Sequence, residues 1–148
     1  MAVFYFDTSA LLPVLIKEHE LHEACVSVLR ECLQAGSVAT SATHAYVEMY
    51  CHLTRNIPPY NLLPEEAEPA ITEHLGNLLN IIVLDKEDYH AAIHRCVTLS
   101  LTGAIIYDAL HYQAALRAGA ATIVTDNVKD FTRLVTEDEQ MVIRGMRG

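Results

Sequence analysis

Basic residues are scarce in this chain: 10 Lys and Arg stand against 19 Asp and Glu, a formal net charge of −9. Such a balance argues against tight, nonspecific binding to nucleic acid, which relies on Lys and Arg. It leaves a nuclease open, because bound divalent cations reverse the field of an acidic site, and it suits a basic protein partner. Long apolar runs are missing as well. None approaches the ~20 residues of a membrane span, so no membrane association is expected. The first residues lack the charged start and small-residue cleavage site of a secretory leader, and Asp7 interrupts the first apolar stretch. A cytoplasmic location is the expectation. Cysteine is limited to Cys25, Cys32, Cys51 and Cys96, with no C-x-x-C pair. That spacing favours small buried hydrophobes in a reducing compartment over disulfides or a zinc knuckle.

Several motifs are absent too. Without a G-x-S-x-G, a P-loop or a G-x-G-x-x-G, serine-hydrolase, NTPase and dinucleotide-binding readings have no support. Among eight histidines only His90 and His94 are spaced i, i+4, and no Glu follows His90 as H-E-x-x-H requires. The histidines therefore read as exposed helix residues rather than zinc ligands. No internal repeat, low-complexity tract or long linker interrupts the chain.

What remains is a dense α/β pattern. With 148 residues, 51% of them hydrophobic, and a mean hydropathy of +0.19, residues 1–148 are expected to form one domain with a substantial core. The β-branched and aromatic run Ala2–Phe6 reads as a strand. Thr8 and Ser9 are good helix caps before Ala10–Ile16, in which Pro13 limits or kinks the helix. Further helices are expected over Glu20–Gln34, stopped by Gly36, over Thr43–Asn56, and from Leu63-Pro64-Glu65-Glu66 onward. Ser37–Thr40 is strand-like, and the apolar run Asn80–Leu84 reads as a strand buried on both faces. Asp85 caps a helix reaching Ser100, and Ala104–Ala118 forms another, ended by Gly119. Ala121–Thr125 is a strand and Met141–Arg144 a last edge strand. Strands separated by helices imply right-handed crossovers and a parallel sheet covered on both sides.

Four carboxylates interrupt this pattern. Asp7 and Asp126 end apolar strand-like runs, while Glu48 and Asp108 break apolar helical ones. Buried charge is costly unless it is paired or bound to a metal. In parallel sheets, sites form beyond the carboxyl ends of the strands, the address shared by Asp7 and Asp126. Gathered together, the four would make an oxygen-rich cage suited to Mg²⁺ or Mn²⁺. Each has a bland reading: a cap for Asp7, a solvated helix position or a pair with Arg55 for Glu48, a turn residue for Asp126. Asp108, among Ile105, Ile106, Ala109 and Leu110, has the weakest bland reading, because its helix is apolar nearly all round. Thr8 and Ser9 can do the capping, which leaves Asp7 free, with Thr8 placed to hold its carboxylate.

The run Phe6-Asp7-Thr8-Ser9-Ala10-Leu11-Leu12 resembles the first motif of PIN-domain ribonucleases. Val47-Glu48 resembles the second acid, Tyr107-Asp108-Ala109-Leu110-His111 the third motif, and Gly119–Phe131 the closing strand and turn. Length and layout are similar to VapC-type toxins of toxin–antitoxin pairs. The resemblance implies a three-layer α/β/α fold on a mainly parallel five-stranded sheet. It also implies a Mg²⁺- or Mn²⁺-dependent endoribonuclease whose catalytic and metal-binding residues are Asp7, Glu48, Asp108 and Asp126. Asn127 stands where relatives often carry an acid, so Asp126, Asn127 and Asp130 share the last place. Pro13 stands where many relatives carry a basic or polar residue. RNA is the implied substrate, met by a few basic side chains such as Lys17, Arg55 and Arg95, with a cognate antitoxin and a second copy of the chain as partners. Two rival readings compete. A noncatalytic module could use the acids to dock a basic protein. A phosphatase could use Asp7 as nucleophile, but that chemistry wants a second Asp two residues on, where Ser9 stands.

Overall fold

The computed structural model describes residues 1–147, so the last residue of the expected 1–148 span lies outside the described residues. Five parallel strands form one sheet in the order β3-β2-β1-β4-β5. They are β1 (Val3–Phe6), β2 (Val38–Ala42), β3 (Asn80–Ile82), β4 (Thr122–Val124) and β5 (Val142–Arg144). The helices are α1 (Thr8–Leu15), α2 (His22–Gln34), α3 (Thr43–Thr54), α4 (Pro64–Pro69), α5 (Lys86–Thr98), α6 (Ile105–Ala118) and α7 (Val128–Leu134). A wide π-helical turn, Ala70–Leu75, prolongs α4.

Side chains alternate across the pleat, and β1 shows how this builds three layers. Phe6 packs into one core with Leu11 and Leu12 of α1, Leu29 of α2 and Met49 of α3. Tyr5 packs into the opposite core with Ala109 and Tyr112 of α6 and Phe131 of α7. The expected parallel five-stranded α/β/α architecture is therefore what forms. Gly36 and Gly119, at φ 74° and 71°, take the left-handed conformation that ends α2 and α6. Among the described residues no helix is long and apolar enough to cross a membrane.

Three expectations need correction. Asp7 itself is the N-cap of α1, accepting from Ala10 N at 3.1 Å, and Thr8 is already helical. The strand ends on Phe6, and the shortest polar reach to the first free N–H belongs to Asp7. Asn80–Ile82 is an edge strand with Val83 exposed just beyond it, rather than a strand buried on both faces. Its one partner is β2, because the chain leaves β3 for the other side of β1 and lays no strand beyond it. Cys51 lies exposed on α3, while Cys25, Cys32 and Cys96 are buried and all four are free thiols.

The sheet places its switch point at the centre. From β1 the chain steps to β2 and β3 on one side, then returns to β4 and β5 on the other. A crevice opens between the carboxyl ends of β1 and β4, where such sheets hold ligands.

Candidate active site

Asp7 emerges from β1 into that crevice and is only 3% exposed. Its backbone N–H donates to Val124 O of β4 at 3.2 Å, which fixes it between the two strands. Ser9 Oγ donates to Oδ1 at 2.7 Å, and Thr125 Oγ1 donates to Oδ2 at 2.7 Å. The carboxylate is thus clamped by two hydroxyls and a helix N-terminus, an arrangement that fixes its orientation. Burial nevertheless pushes the Asp7 carboxyl above its ordinary range, against the pull of His111 and these hydrogen bonds.

Glu48 reaches in from α3. Its Oε1 accepts from Thr8 Oγ1 at 2.8 Å and lies 2.8 Å from His111 Nε2. His111 is 2% exposed, and Tyr5 Oη sits 2.7 Å from its Nδ1. Burial raises the Glu48 carboxyl, but His111, Thr8 and His44 together outweigh it, so the group stays ionised more readily than usual. Since a carboxylate only accepts, the proton between Glu48 and a neutral His111 belongs to Nε2. His44 flanks the pair, its Nε2 3.7 Å from Glu48 Oε1 and its ring centroid 4.1 Å from that of His111. Neither ring nitrogen of His44 has a hydrogen-bond partner among the described residues, although both are shielded from solvent. Burial and the neighbouring His111 lower the His44 pKa to about 4, so its ring is neutral.

Asp108 sits half-buried in the first turn of α6, where Asn127 Nδ2 donates to Oδ2 at 2.9 Å. The same Nδ2 donates to Asp130 Oδ2 at 3.0 Å, so Asn127 bridges two acids. Burial, followed by the charge of Asp7, pushes Asp108 up to about 7; Asp130 and Glu48 add to the rise and His111 opposes it. Asp126 is differently engaged. Arg147, near the chain's end, forks onto it with Nε–Oδ1 at 2.8 Å and Nη2–Oδ2 at 3.0 Å.

Asp7, Glu48, Asp108 and Asp126 all line one cavity of about 280 Å³, together with Thr8, Ser9, His111 and Asn127. Arg55 and Tyr60 stand on its wall as well, the guanidinium 5.8 Å from the ring centroid. The donor set suits a hard divalent cation. Oxygen dominates it, and the charge of Asp7 adds to the burial that raises Asp108. Asp130 does not line the cavity, and Asn127 does so through an amide.

A family model described as PIN domain matches residues 4–137. The chain belongs to the PIN domain family. It is 31% identical over 135 residues to Ribonuclease VapC40 of Mycobacterium tuberculosis strain H37Rv, covering 90% of this chain and 95% of that protein. Solved structures share the PIN fold at lower identity. One is VapBC2 from Rickettsia felis bound to a DNA fragment from its promoter, with a TM-score of 0.71 and 14% identity over 98% of this chain and 99% of that one. Another is the sarcin-ricin loop cleaving toxin VapC20 of Mycobacterium tuberculosis, with a TM-score of 0.61 and 15% identity over 81% and 86%.

Sequence reading missed much of the PIN site's support. Thr8 holds Glu48, not Asp7; Ser9 and Thr125 hold Asp7 instead. Each hydroxyl stands within two residues of an acid, a local signal that was available. His44 and His111 are packed around Glu48 rather than solvated, whereas His90 and His94 are exposed as expected. Tyr112 of α6 turns away from the cavity to Glu139, its hydroxyl donating to Oε1 at 2.8 Å. Arg95 is tied to Glu139 by two hydrogen bonds of 2.8 and 2.7 Å and is not free to meet RNA. Lys17 is exposed but does not line the cavity, which leaves Arg55 of the three.

Proposed function

We propose that this chain is a single PIN-like domain that acts as a divalent-metal-dependent endoribonuclease, the toxin half of a toxin–antitoxin pair. The observation that carries the reading is the meeting of Asp7, Glu48, Asp108 and Asp126 on one cavity at the switch point of the sheet. The relative at 31% identity is named a ribonuclease and matches over nearly its whole length. The similar Rickettsia structure is a VapBC complex, which supports a cognate antitoxin as partner. The cavity's acidity and the chain's net charge of −9 suit a basic segment from that partner.

In this reading Asp7 and Asp108 are the main metal-holding side chains, with Glu48 and Asp126 completing the set. Bound Mg²⁺ or Mn²⁺ supplies Lewis acidity, withdrawing charge from the phosphoryl oxygens and acidifying the attacking water. The protein's part is to hold the acids in place. Ser9, Thr125 and the α1 N-terminus keep Asp7 from turning away, so little reorganisation is needed during reaction. Thr8 and His111 do the same for Glu48. Asn127 bridges Asp108 and Asp130 through one amide nitrogen and so fixes the Asp108 carboxylate. Arg55, the one cation named for RNA that lines the cavity, is placed to meet a substrate phosphate, with its guanidinium over the Tyr60 ring.

Asp7→Asn keeps the cap and the shape but removes the charge. The expected outcome is a folded protein whose Mg²⁺- or Mn²⁺-dependent RNA cleavage falls at least about a thousandfold, in line with loss of one main electrostatic element. Cleavage within tenfold of the unsubstituted chain, measured on a folded variant, would sink the nuclease reading.

A further inference from the structure

Beside the carboxylates stands a donor set of a different chemistry. His44, Glu48 and His111 each offer one ligand atom, and these atoms lie within 4.8 Å of one another. We propose that these three side chains form a second metal site, one that takes a borderline transition-metal ion of the Zn²⁺ class rather than Mg²⁺. The ligand separations fit that class. Tetrahedral Zn²⁺ with bonds of ~2.0–2.1 Å holds its ligands about 3.3 Å apart. The Glu48–His111 and Glu48–His44 distances of 2.8 and 3.7 Å bracket that value. Two imidazoles and one carboxylate select against Mg²⁺, which demands oxygen and six positions. Three protein ligands leave a fourth position open.

Two further observations point to a ligand. His44 carries two ring nitrogens that are buried and partnerless among the described residues, and a bound cation would partner one of them. His111 is already oriented from its far side. Tyr5 Oη, 2.7 Å from Nδ1, can donate or accept, so it holds the ring whether the proton sits on Nε2 or moves to Nδ1 to free Nε2 for a metal. Thr8 Oγ1 fixes the shared carboxylate from the other side.

Glu48 belongs to both donor sets, so an ion held by the histidines takes it from the cluster around Asp7 and Asp108. That consequence rests on the nuclease reading and predicts inhibition by Zn²⁺; the binding site itself does not depend on it.

The test uses the full chain, stripped of metal and loaded with one equivalent of Zn²⁺ in excess Mg²⁺. X-ray absorption at the zinc edge should count two imidazole ligands, and calorimetry should give one Zn²⁺ per chain. His44→Ala should weaken Zn²⁺ at least tenfold, Tyr5→Phe about tenfold by releasing the His111 ring, and Asp108→Asn less than twofold. A zinc environment without imidazole overturns the site even if a variant fails to fold, as does Zn²⁺ binding lost in Asp108→Asn but kept in His44→Ala. If RNA cleavage is absent in Mg²⁺ before any Zn²⁺ is added while two imidazoles are counted in the zinc-loaded chain, the nuclease reading falls and this site stands. If Mg²⁺-dependent cleavage is present and Zn²⁺ finds no imidazole, the reverse holds.

Discussion

Two groups of acids in this molecule are built on opposite principles. Around the cavity, Asp7 and Asp108 are pushed above their ordinary range by burial, and Asp108 further by the charge of Asp7. On the far side of α6, Glu139 is pulled down to about 2, first by its hydrogen bonds to Arg95, then against burial by Thr136 N–H and Tyr112. Arg95 stacks on Tyr112 at 4.3 Å and also donates to Leu134 O at 2.8 Å. There every charge has a counterpart and the cluster ties α5 and α6 to the segment after α7. At the cavity, negative charges face one another, offset by His111, the exposed Arg147 and hydrogen bonds from hydroxyls, Asn127 and the α1 N-terminus. One cluster stabilises the fold; the other holds charge at the fold's expense, the usual mark of a functional site.

Neutralising the second kind of charge should therefore separate activity from stability. Asp108→Asn is expected to lower metal-dependent cleavage at least about a thousandfold, about 4 kcal/mol of barrier. Thermal unfolding of the metal-free variant should occur no lower than that of the unsubstituted chain. A variant that loses stability along with activity would show that the two clusters do not differ in kind. Arg95→Ala should do the opposite, leaving Glu139 without its partner and costing about 3 kcal/mol in denaturant unfolding. The lowered Glu139 contributes stability that is present above its ordinary value of 4.5 and is lost as pH falls through about 2. Arg95→Ala should accordingly erase that stability at neutral pH and leave little difference at the acid end.

The pH dependence of the metal-free protein has the other sign at the cavity. Asp108 binds its proton more tightly when folded, so its ionisation destabilises. Stability is therefore lost as pH rises from its ordinary value of 3.8 through about 7. The full shift corresponds to about 4 kcal/mol, and solvent reaching the half-exposed carboxylate reduces that to about 2 kcal/mol. Unfolding free energy should fall by part of this amount between pH 5 and pH 8, and Asp108→Asn should flatten the difference. Saturating Mg²⁺ should flatten it too, because a cation offsets the charge that opposes folding.

The fold was legible because its signals are local and periodic. The apolar runs, the two helix-ending glycines and the capping Asp85 each act within a few residues, so β1, α5 and α6 could be drawn from the chain itself. β3 was misread as doubly buried because a short apolar run looks alike at an edge and at a centre. Burial is decided by strand order, which no segment encodes alone. At the candidate site, the acids stood out as charges in apolar settings, but their partners did not. The pairs Tyr5–His111 and Thr8–Glu48 join residues 106 and 40 positions apart. Nothing in either neighbourhood announces the other. Arg95 was misassigned for the same reason, since Glu139 lies 44 positions away.

Arg147 offers the finest test of the contrast, because it brings the logic of the stabilising cluster to the edge of the cavity. Its fork on Asp126 resembles Arg95 on Glu139 in geometry, and it also reaches Glu20 at 3.1 Å. It differs in setting: Arg147 is 57% exposed where Arg95 is 13%. Exposed pairs contribute little to stability, because solvent screens them and two long side chains lose freedom. Arg147→Ala should leave the unfolding midpoint unchanged within error. Asp126 would then face the cavity with its charge uncompensated, and metal affinity should rise severalfold by calorimetry. A fall in stability comparable to Arg95→Ala would make the Asp126 pair structural and remove Asp126 from the metal set. A rise in affinity without loss of stability would assign Asp126 to the cavity and leave the choice among it, Asn127 and Asp130 decided by charge.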